Sequence, residues 1–330
     1  MPRSEQMRVR AGEGHLAGTL TLPDTPPPPE RSGRFPNALL LPSWLPRDRD
    51  GGWDRTGHPA WFAPQAPGDD DPGLLARLAG ALAERGVASL RCDPRGCGAS
   101  EGTWESTSLF TRIDDARDML AAMRSHGALD LRRTGMLAHG EGATLALSVA
   151  IGDPALSALT LIGPGARSGR DLLRRGVGER SRTGTDRQHP IVAAIDRVSE
   201  EMIERAERRE PSVRLHLGRG EAIELGLAGL EQAIHTPNLA LVTMLHRSVA
   251  LVHGTADAWA APDESALLEV ALREAGNQPM RRAVPGAGHD LAEVDDALIA
   301  DVAADLAARI APRELPPVLL AIEEMGGGVQ

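Results

Sequence analysis

The chain has 330 residues, 42% of them hydrophobic, and a formal net charge of -10, enough for one large α/β domain with an insertion. Acidic and basic residues are intermingled rather than gathered in a tail, which argues against a general nucleic-acid binder, and no apolar run approaches the ~18 residues of a membrane span. Every cation other than histidine is arginine and tyrosine is absent, which excludes Schiff-base lysines, a P-loop lysine and tyrosine donors. The segment MPRSEQMRVRAGEG carries no apolar leader, so the expectation is a soluble cytoplasmic protein with a small-molecule substrate, no nucleic acid, no membrane and no cofactor. Cys92 and Cys97 are too few for a disulfide framework or a zinc site, and both read as free thiols.

In chain order, residues 7–22 alternate around a Gly-rich turn and predict a β-hairpin. A proline run within 25–34 marks a surface connection, and 38–41 is an apolar run suited to a doubly buried strand. A long polar loop over 42–71 carries Trp44, Trp53 and Trp61, either as a pocket wall or as pins for the loop itself. Leu75, Leu78 and Leu82 at helical spacing, stopped by Gly86, predict a helix, and 87–92 the next strand. Ile113, Ala116, Leu120 and Met123 mark a second helix. Further strands are expected at 136–139, 158–162 and 249–252, and a last helix along Leu291, Val294, Leu298, Val302 and Leu306. This alternation predicts a mostly parallel sheet with helices on both faces. The stretch 163–247 interrupts it, with an arginine-rich piece at 167–187 and a helix bearing Ile191, Ile195, Val198 and Met202. It reads as a helical cap over 164–247 on a core of 1–163 and 248–330, placed over the strand ends where open α/β sheets bind ligands. Its arginines, Arg167 and Arg170 first, either hold an anionic or carrier-bound substrate or are solvated. The tail 315–322 is apolar enough to dock on its own domain or on a neighbour.

The segment Met136-Leu137-Ala138-His139-Gly140-Glu141-Gly142-Ala143 has the small residues of a strand–turn–helix elbow. It is preceded by Leu40-Leu41-Pro42-Ser43-Trp44 and by Cys92-Asp93-Pro94-Arg95-Gly96-Cys97-Gly98-Ala99-Ser100. It is followed by Leu251-Val252-His253-Gly254-Thr255-Ala256-Asp257 and Val284-Pro285-Gly286-Ala287-Gly288-His289. In this order the five segments resemble the α/β-hydrolase superfamily, especially its serine-esterase and aminopeptidase-like branches. The resemblance implies the α/β-hydrolase fold, Asp257 as orienting acid, His289 as general base, and the amides of Trp44 and Glu141 as an oxyanion hole. The sequence departs from the pattern at one position, because glycine, Gly140, stands where that family places its serine.

A glycine there closes the usual covalent route, since losing the nucleophile of a serine triad costs on the order of a millionfold. Four readings follow. In the first, His289 and Asp257 act without a covalent intermediate on a water or substrate carbon lodged in the space left by Gly140, giving hydrolysis, elimination, cyclisation or epimerisation. In the second, the chain is a non-catalytic binding protein. In the third, it is a serine hydrolase carrying a Ser→Gly change. In the fourth, Ser43 or Cys97 substitutes as nucleophile, although neither sits on an elbow beside a helix N-terminus. Asp257 could instead cap the helix near Pro262, where Asp263 and Glu264 fit as well. Glu141 suits the first turn of a helix by the macrodipole alone, and His139 is expected to pack in its strand or border the substrate. A metal site built from His139, His253 and His289 lacks paired-ligand spacing.

Overall fold

A computed structural model describes residues 2–27, 33–54, 72–183, 190–218, 220–292 and 294–314; Trp61 and the apolar tail 315–322 lie outside them. The predicted hairpin forms β1 (Arg3–Ala11) and β2 (Gly14–Leu22), followed by β3 (Phe35–Leu41), α1 (Leu74–Glu84) and β4 (Ala88–Cys92). Next come α2 (Leu109–Arg124), β5 (Leu129–His139), α3 (Gly142–Gly152) and β6 (Leu156–Ile162). The long interruption holds α4 (Gly169–Thr183), α5 (Pro190–Glu207), β7 (Ser212–Gly218), β8 (Glu221–Gly226), α6 (Ala228–Ala233) and α7 (Asn238–Val242). The chain then returns through β9 (Ser248–Gly254), α8 (Asp263–Glu274), β10 (Met280–Val284) and α9 (Asp296–Arg309).

Eight strands form one sheet in the order β1-β2-β4-β3-β5-β6-β9-β10. β1 and β2 pair antiparallel, β2 meets β4 antiparallel, and the remaining neighbours are parallel. Because side chains alternate across a strand, Leu39 and Leu41 enter one core with Leu109, Leu147 and Leu268 from α2, α3 and α8. Leu40 and Leu137 enter the other with Leu78, Leu82, Val302 and Leu306 from α1 and α9. Burial on both faces is why the central strands read as continuous apolar runs.

Three elements differ from expectation. β10 was not foreseen because it is a sheet edge, mostly exposed and built around Arg281 and Arg282, where charge discourages further strand pairing. The hairpin β7-β8 was not foreseen either, and packs with α5 around Ile195, Met202, Val213, Leu215 and Leu225 in a third apolar cluster separate from the sheet's two. Leu291 and Val294 precede the last helix rather than belong to it, since the Asp295 carboxylate accepts from the Leu298 amide at 2.9 Å and begins α9 there. No helix among the described residues is long and apolar enough to cross a membrane.

Candidate active site

β3 and β5 are parallel neighbours with Leu41 opposite Ala138, so the residues two positions beyond each pair, Ser43 and Gly140, emerge side by side. Gly140 holds φ +55° in the tight turn between β5 and α3, a backbone region that favours glycine. A Cβ at Gly142 would come within 2.6 Å of the Pro42 carbonyl oxygen, so a glycine there lets α3 approach the end of β3. The turn therefore has the tight form of an elbow with a glycine at its apex. The space beside Gly140, expected to stand open to water or substrate, is filled. A Cβ on Gly140 would fall 2.0 Å from Ser43 Oγ, 2.9 Å from Ser43 Cβ and 2.9 Å from His289 Nε2. The first distance is little more than a ~1.5 Å single bond. Ser43 Oγ itself lies 3.3 Å from His289 Nε2.

Behind His289 stands Asp257, with Nδ1 2.8 Å from Oδ2. A buried carboxylate only accepts, so Nδ1 carries the proton and Nε2 presents its lone pair to Ser43. Oδ1 of Asp257 accepts from the amides of Trp259 at 2.8 Å and Ala260 at 2.9 Å. His253 Nε2 donates to the Ala260 carbonyl at 2.7 Å and stands 3.2 Å from Asp257 Oδ2. Asp257 is thus the partner of His289 and not the cap of α8, whose first turn holds Asp263 and Glu264. Burial alone would raise the Asp257 carboxyl, but the charge of His289 and the hydrogen bonds from both histidines hold it below the usual carboxylate range. Burial disfavours protonated His289, yet the charge and hydrogen bond of Asp257 outweigh it and raise this imidazole above its ordinary 6.5. Gly163, at φ +55° beyond β6, lies under the pair: a Cβ there would meet His289 Nδ1 at 3.0 Å and Asp257 Oδ2 at 3.2 Å. Sequence reasoning gave this glycine no role and weighed His253 only as a metal ligand.

Of the other residues singled out in the sequence, His139 lies beneath His289 and does not line the pocket described below. Its Nε2 donates to the His289 carbonyl at 3.0 Å and the two rings lie 4.6 Å apart. Burial, then the neighbouring His289, pushes it down to about 3, so it is neutral. His139, His289 and Asp290 bring potential metal-ligand atoms within 4.8 Å of one another, a set that differs from the His139, His253 and His289 site the sequence argued against. These groups are already engaged, because Asp290 receives Arg47 at 3.1 Å and Arg47 in turn stacks on Trp53 at 4.3 Å. Trp53 therefore pins its loop, whereas Trp44 borders the pocket. Cys97 is fully buried in the third apolar cluster, where burial drives its thiol well above the ordinary range, so it offers no thiolate nucleophile.

A pocket of about 150 Å³ opens over Ser43, Gly140 and His289. Trp44, Leu109, Leu172, Leu173, Leu230 and Trp259 supply most of its apolar wall. Its charged members have partners: Glu141 pairs with Arg112, Arg167 with Glu264, and Arg180 with Asp196 at 2.5 Å. Burial raises the Glu141 carboxyl against the pull of Arg112. Arg170, expected near the substrate, instead pairs with Glu207 and is not part of the lining. Arg180 and Asn238, which no sequence motif distinguished, are part of it. The amides of Trp44 and Glu141 each directly follow one of the two residues in contact.

The chain belongs to the family described as serine aminopeptidase, S33, whose model matches residues 70–295, and so to the α/β-hydrolase superfamily of enzymes. That match spans Gly140, Asp257 and His289 and begins after Ser43. A search of curated proteins finds none that matches. Among solved structures, the chain is similar to Est1E from Butyrivibrio proteoclasticus with bound ferulic acid, at 16% identity and TM-score 0.62, covering 92% of this chain and 99% of that one. The α/β-hydrolase GrgF from Penicillium sp. sh18 is 15% identical with TM-score 0.62, covering 93% and 99%. The hypothetical protein PA2218 from Pseudomonas aeruginosa is 15% identical with TM-score 0.63, covering 93% and 94%. At these identities the likeness is one of fold.

Proposed function

We propose that this chain is a serine hydrolase whose nucleophile has moved from the elbow to the neighbouring strand end, so that Ser43, His289 and Asp257 form the triad. The observation that carries the proposal is the overlap of Ser43 Oγ with the side-chain space of residue 140, 2.0 Å from the position of a Gly140 Cβ. His289 Nε2 takes the proton of Ser43 Oγ as that oxygen attacks the carbonyl carbon of an ester or amide. The oxyanion rests on the amides of Trp44, which follows the serine, and Glu141, at the N-terminus of α3. His289 then passes the proton to the departing alcohol or amine, and a water deprotonated by His289 releases the acid and restores Ser43. The segment 164–247 acts as a cap, its residues lining the apolar pocket that takes the substrate. Because Arg167 and Arg180 have carboxylate partners, the substrate is neutral rather than anionic.

The same overlap weighs against the other readings. A non-covalent mechanism needs the space beside Gly140 that Ser43 takes. A serine restored at Gly140 would clash with Ser43 Cβ, 2.9 Å from its own, so Gly140 fits this particular Ser43 and is poorly explained as a lone Ser→Gly change. A binding protein has no need of a buried carboxylate behind a histidine. Intact-mass labelling with a fluorophosphonate, followed by peptide mapping, tests the proposal: the reagent attaches to Ser43 and fails on Ser43→Ala and His289→Ala. Absence of labelling in the unaltered protein, or attachment elsewhere, overturns it.

A further inference from the structure

Ser43 lies two residues beyond the end of β3, on a loop rather than at the start of a helix, so the approach of its Oγ to His289 depends on how that loop is held. Leu45 has φ +73° and is 3% exposed, and a left-handed backbone at a bulky residue persists only where surrounding contacts fix it. Past Leu45 the chain folds back on itself. The Asp54 amide donates to the Pro46 carbonyl at 2.9 Å and the Asp48 amide to the Gly52 carbonyl at 3.0 Å, with Arg47 opposite Trp53 in an antiparallel bridge. This lays the Arg47 guanidinium 4.3 Å over the Trp53 ring, and its Nη1 donates to the Gly51 carbonyl at 3.3 Å. The side chain is only 5% exposed, and its Nη2 donates to both carboxylate oxygens of Asp290, at 3.1 and 3.2 Å. Asp290 directly follows His289.

We propose that Arg47 is a positioning residue for the triad, its ion pair with Asp290 clamping the loop that carries Ser43 to the loop that carries His289. The proposal deepens the reading of Ser43 as nucleophile and rests on it for its purpose. The contacts close a ring. It runs along the chain from Ser43 to Arg47, across the ion pair to Asp290, along the chain to His289, and from His289 Nε2 back to Ser43 Oγ at 3.3 Å. His139 braces the ring from beneath, since its Nε2 donates to the His289 carbonyl at 3.0 Å and stands 3.6 Å from Asp290 Oδ1. A serine on an elbow is aimed by the turn into its helix, whereas a serine at a strand end needs such a tie, because a displacement of about 1 Å between reacting groups costs on the order of 100-fold in rate.

The test reads the approach of residue 43 to His289 without relying on turnover. In Ser43→Cys the introduced thiol stands beside His289 Nε2 and is held partly as thiolate, so it reacts with iodoacetamide at pH 7 about tenfold faster than free cysteine. Cys92 and Cys97 are buried and do not compete, and peptide mapping assigns the label to position 43. Adding Arg47→Met or Asp290→Asn lowers that rate about tenfold, and Arg47→Lys, which keeps a cation for Asp290, recovers part of it. The two substitutions remove charges of opposite sign beside a thiolate–imidazolium pair that is neutral overall, so a direct field effect does not slow both. Equal rates with and without Asp290→Asn overturn the proposal. That comparison holds even where Arg47→Met fails to fold, because the Asp290 side chain is 40% exposed. A thiol in Ser43→Cys no faster than free cysteine overturns the proposal as well, since there is then no approach to hold. Failure of fluorophosphonate labelling at Ser43 counts against the nucleophile alone and leaves the thiol comparison unaffected.

Discussion

Ser43 and Gly140 are in contact, and in the proposed triad Ser43 supplies the hydroxyl that the turn at Gly140 lacks. Ser43→Ala lowers turnover of a p-nitrophenyl ester by about 10⁶, the scale on which serine triads lose activity without their nucleophile. Gly140→Ser alone adds a second hydroxyl into occupied space and lowers activity, whereas Ser43→Gly/Gly140→Ser returns the serine to the elbow and recovers part of what Ser43→Ala loses. A double variant as inactive as Ser43→Ala contradicts this exchange. The pH profile follows from His289, whose pKa lies above 6.5 chiefly because Asp257 outweighs burial. The base works only when neutral, so kcat/KM falls as pH drops through that raised value, and the acid limb of the free enzyme has its midpoint above 6.5. Asp257→Asn removes the charge that raises it, so the limb moves to lower pH while activity itself falls by about 10⁴. Of this site, the pairing of His289 with Asp257 was legible because each stands at a recognisable strand end in superfamily order. The contact of Ser43 with Gly140 was not, because it depends on the lateral neighbourhood of β3 and β5 and not on any spacing along the chain.

At the level of elements, the strands legible in the sequence were those buried on both faces, where apolar runs leave little ambiguity, and the β1-β2 hairpin, where residues alternate around a Gly-rich turn. β10 escaped because an edge strand with arginines has no apolar signature, and β7-β8 because a short hairpin within an insertion buries only part of its surface. The close approaches were equally hidden, since a glycine in sequence does not reveal which carbonyl it faces. Gly254 ends β9, and a Cβ there would lie 2.2 Å from the Ala287 carbonyl oxygen and 2.6 Å from that of Gly288. These carbonyls belong to the loop that carries His289. Gly254→Ala therefore pushes that loop outward at a cost of roughly 1–3 kcal/mol, the range of overpacking, and lowers kcat/KM by moving His289 away from Ser43. Chemical denaturation together with ester kinetics checks both effects. Unchanged stability with unchanged activity shows that the loop yields without consequence.

Across the whole molecule, the pocket depends on how the segment between β6 and β9 is held to the sheet, and Arg180 joins the two beside Arg167 and Arg175, which pair with Asp263 and Glu264 of α8. Arg180 of α4 is 1% exposed, with its guanidinium 2.5 Å from Asp196 of α5, 3.3 Å from the Ala258 carbonyl and 4.1 Å over the Trp259 ring. Ala258 and Trp259 directly follow Asp257, and the Trp259 amide is one of the donors holding that carboxylate. Packing of α4 and α5 is thus coupled to the position of Asp257 through this buried cation. Removing one partner of such a pair strands the other, at about 3 kcal/mol, whereas removing both recovers much of the loss. Arg180→Met therefore lowers stability and weakens ester binding, and Arg180→Met/Asp196→Asn recovers stability. Because the double variant still lacks the stacking over Trp259, the binding defect persists. A double-mutant cycle in denaturant, read beside KM and kcat, separates the two contributions. If stability and KM recover together in the double variant, charge pairing alone holds the segment, and contact with the loop after Asp257 has no part in binding.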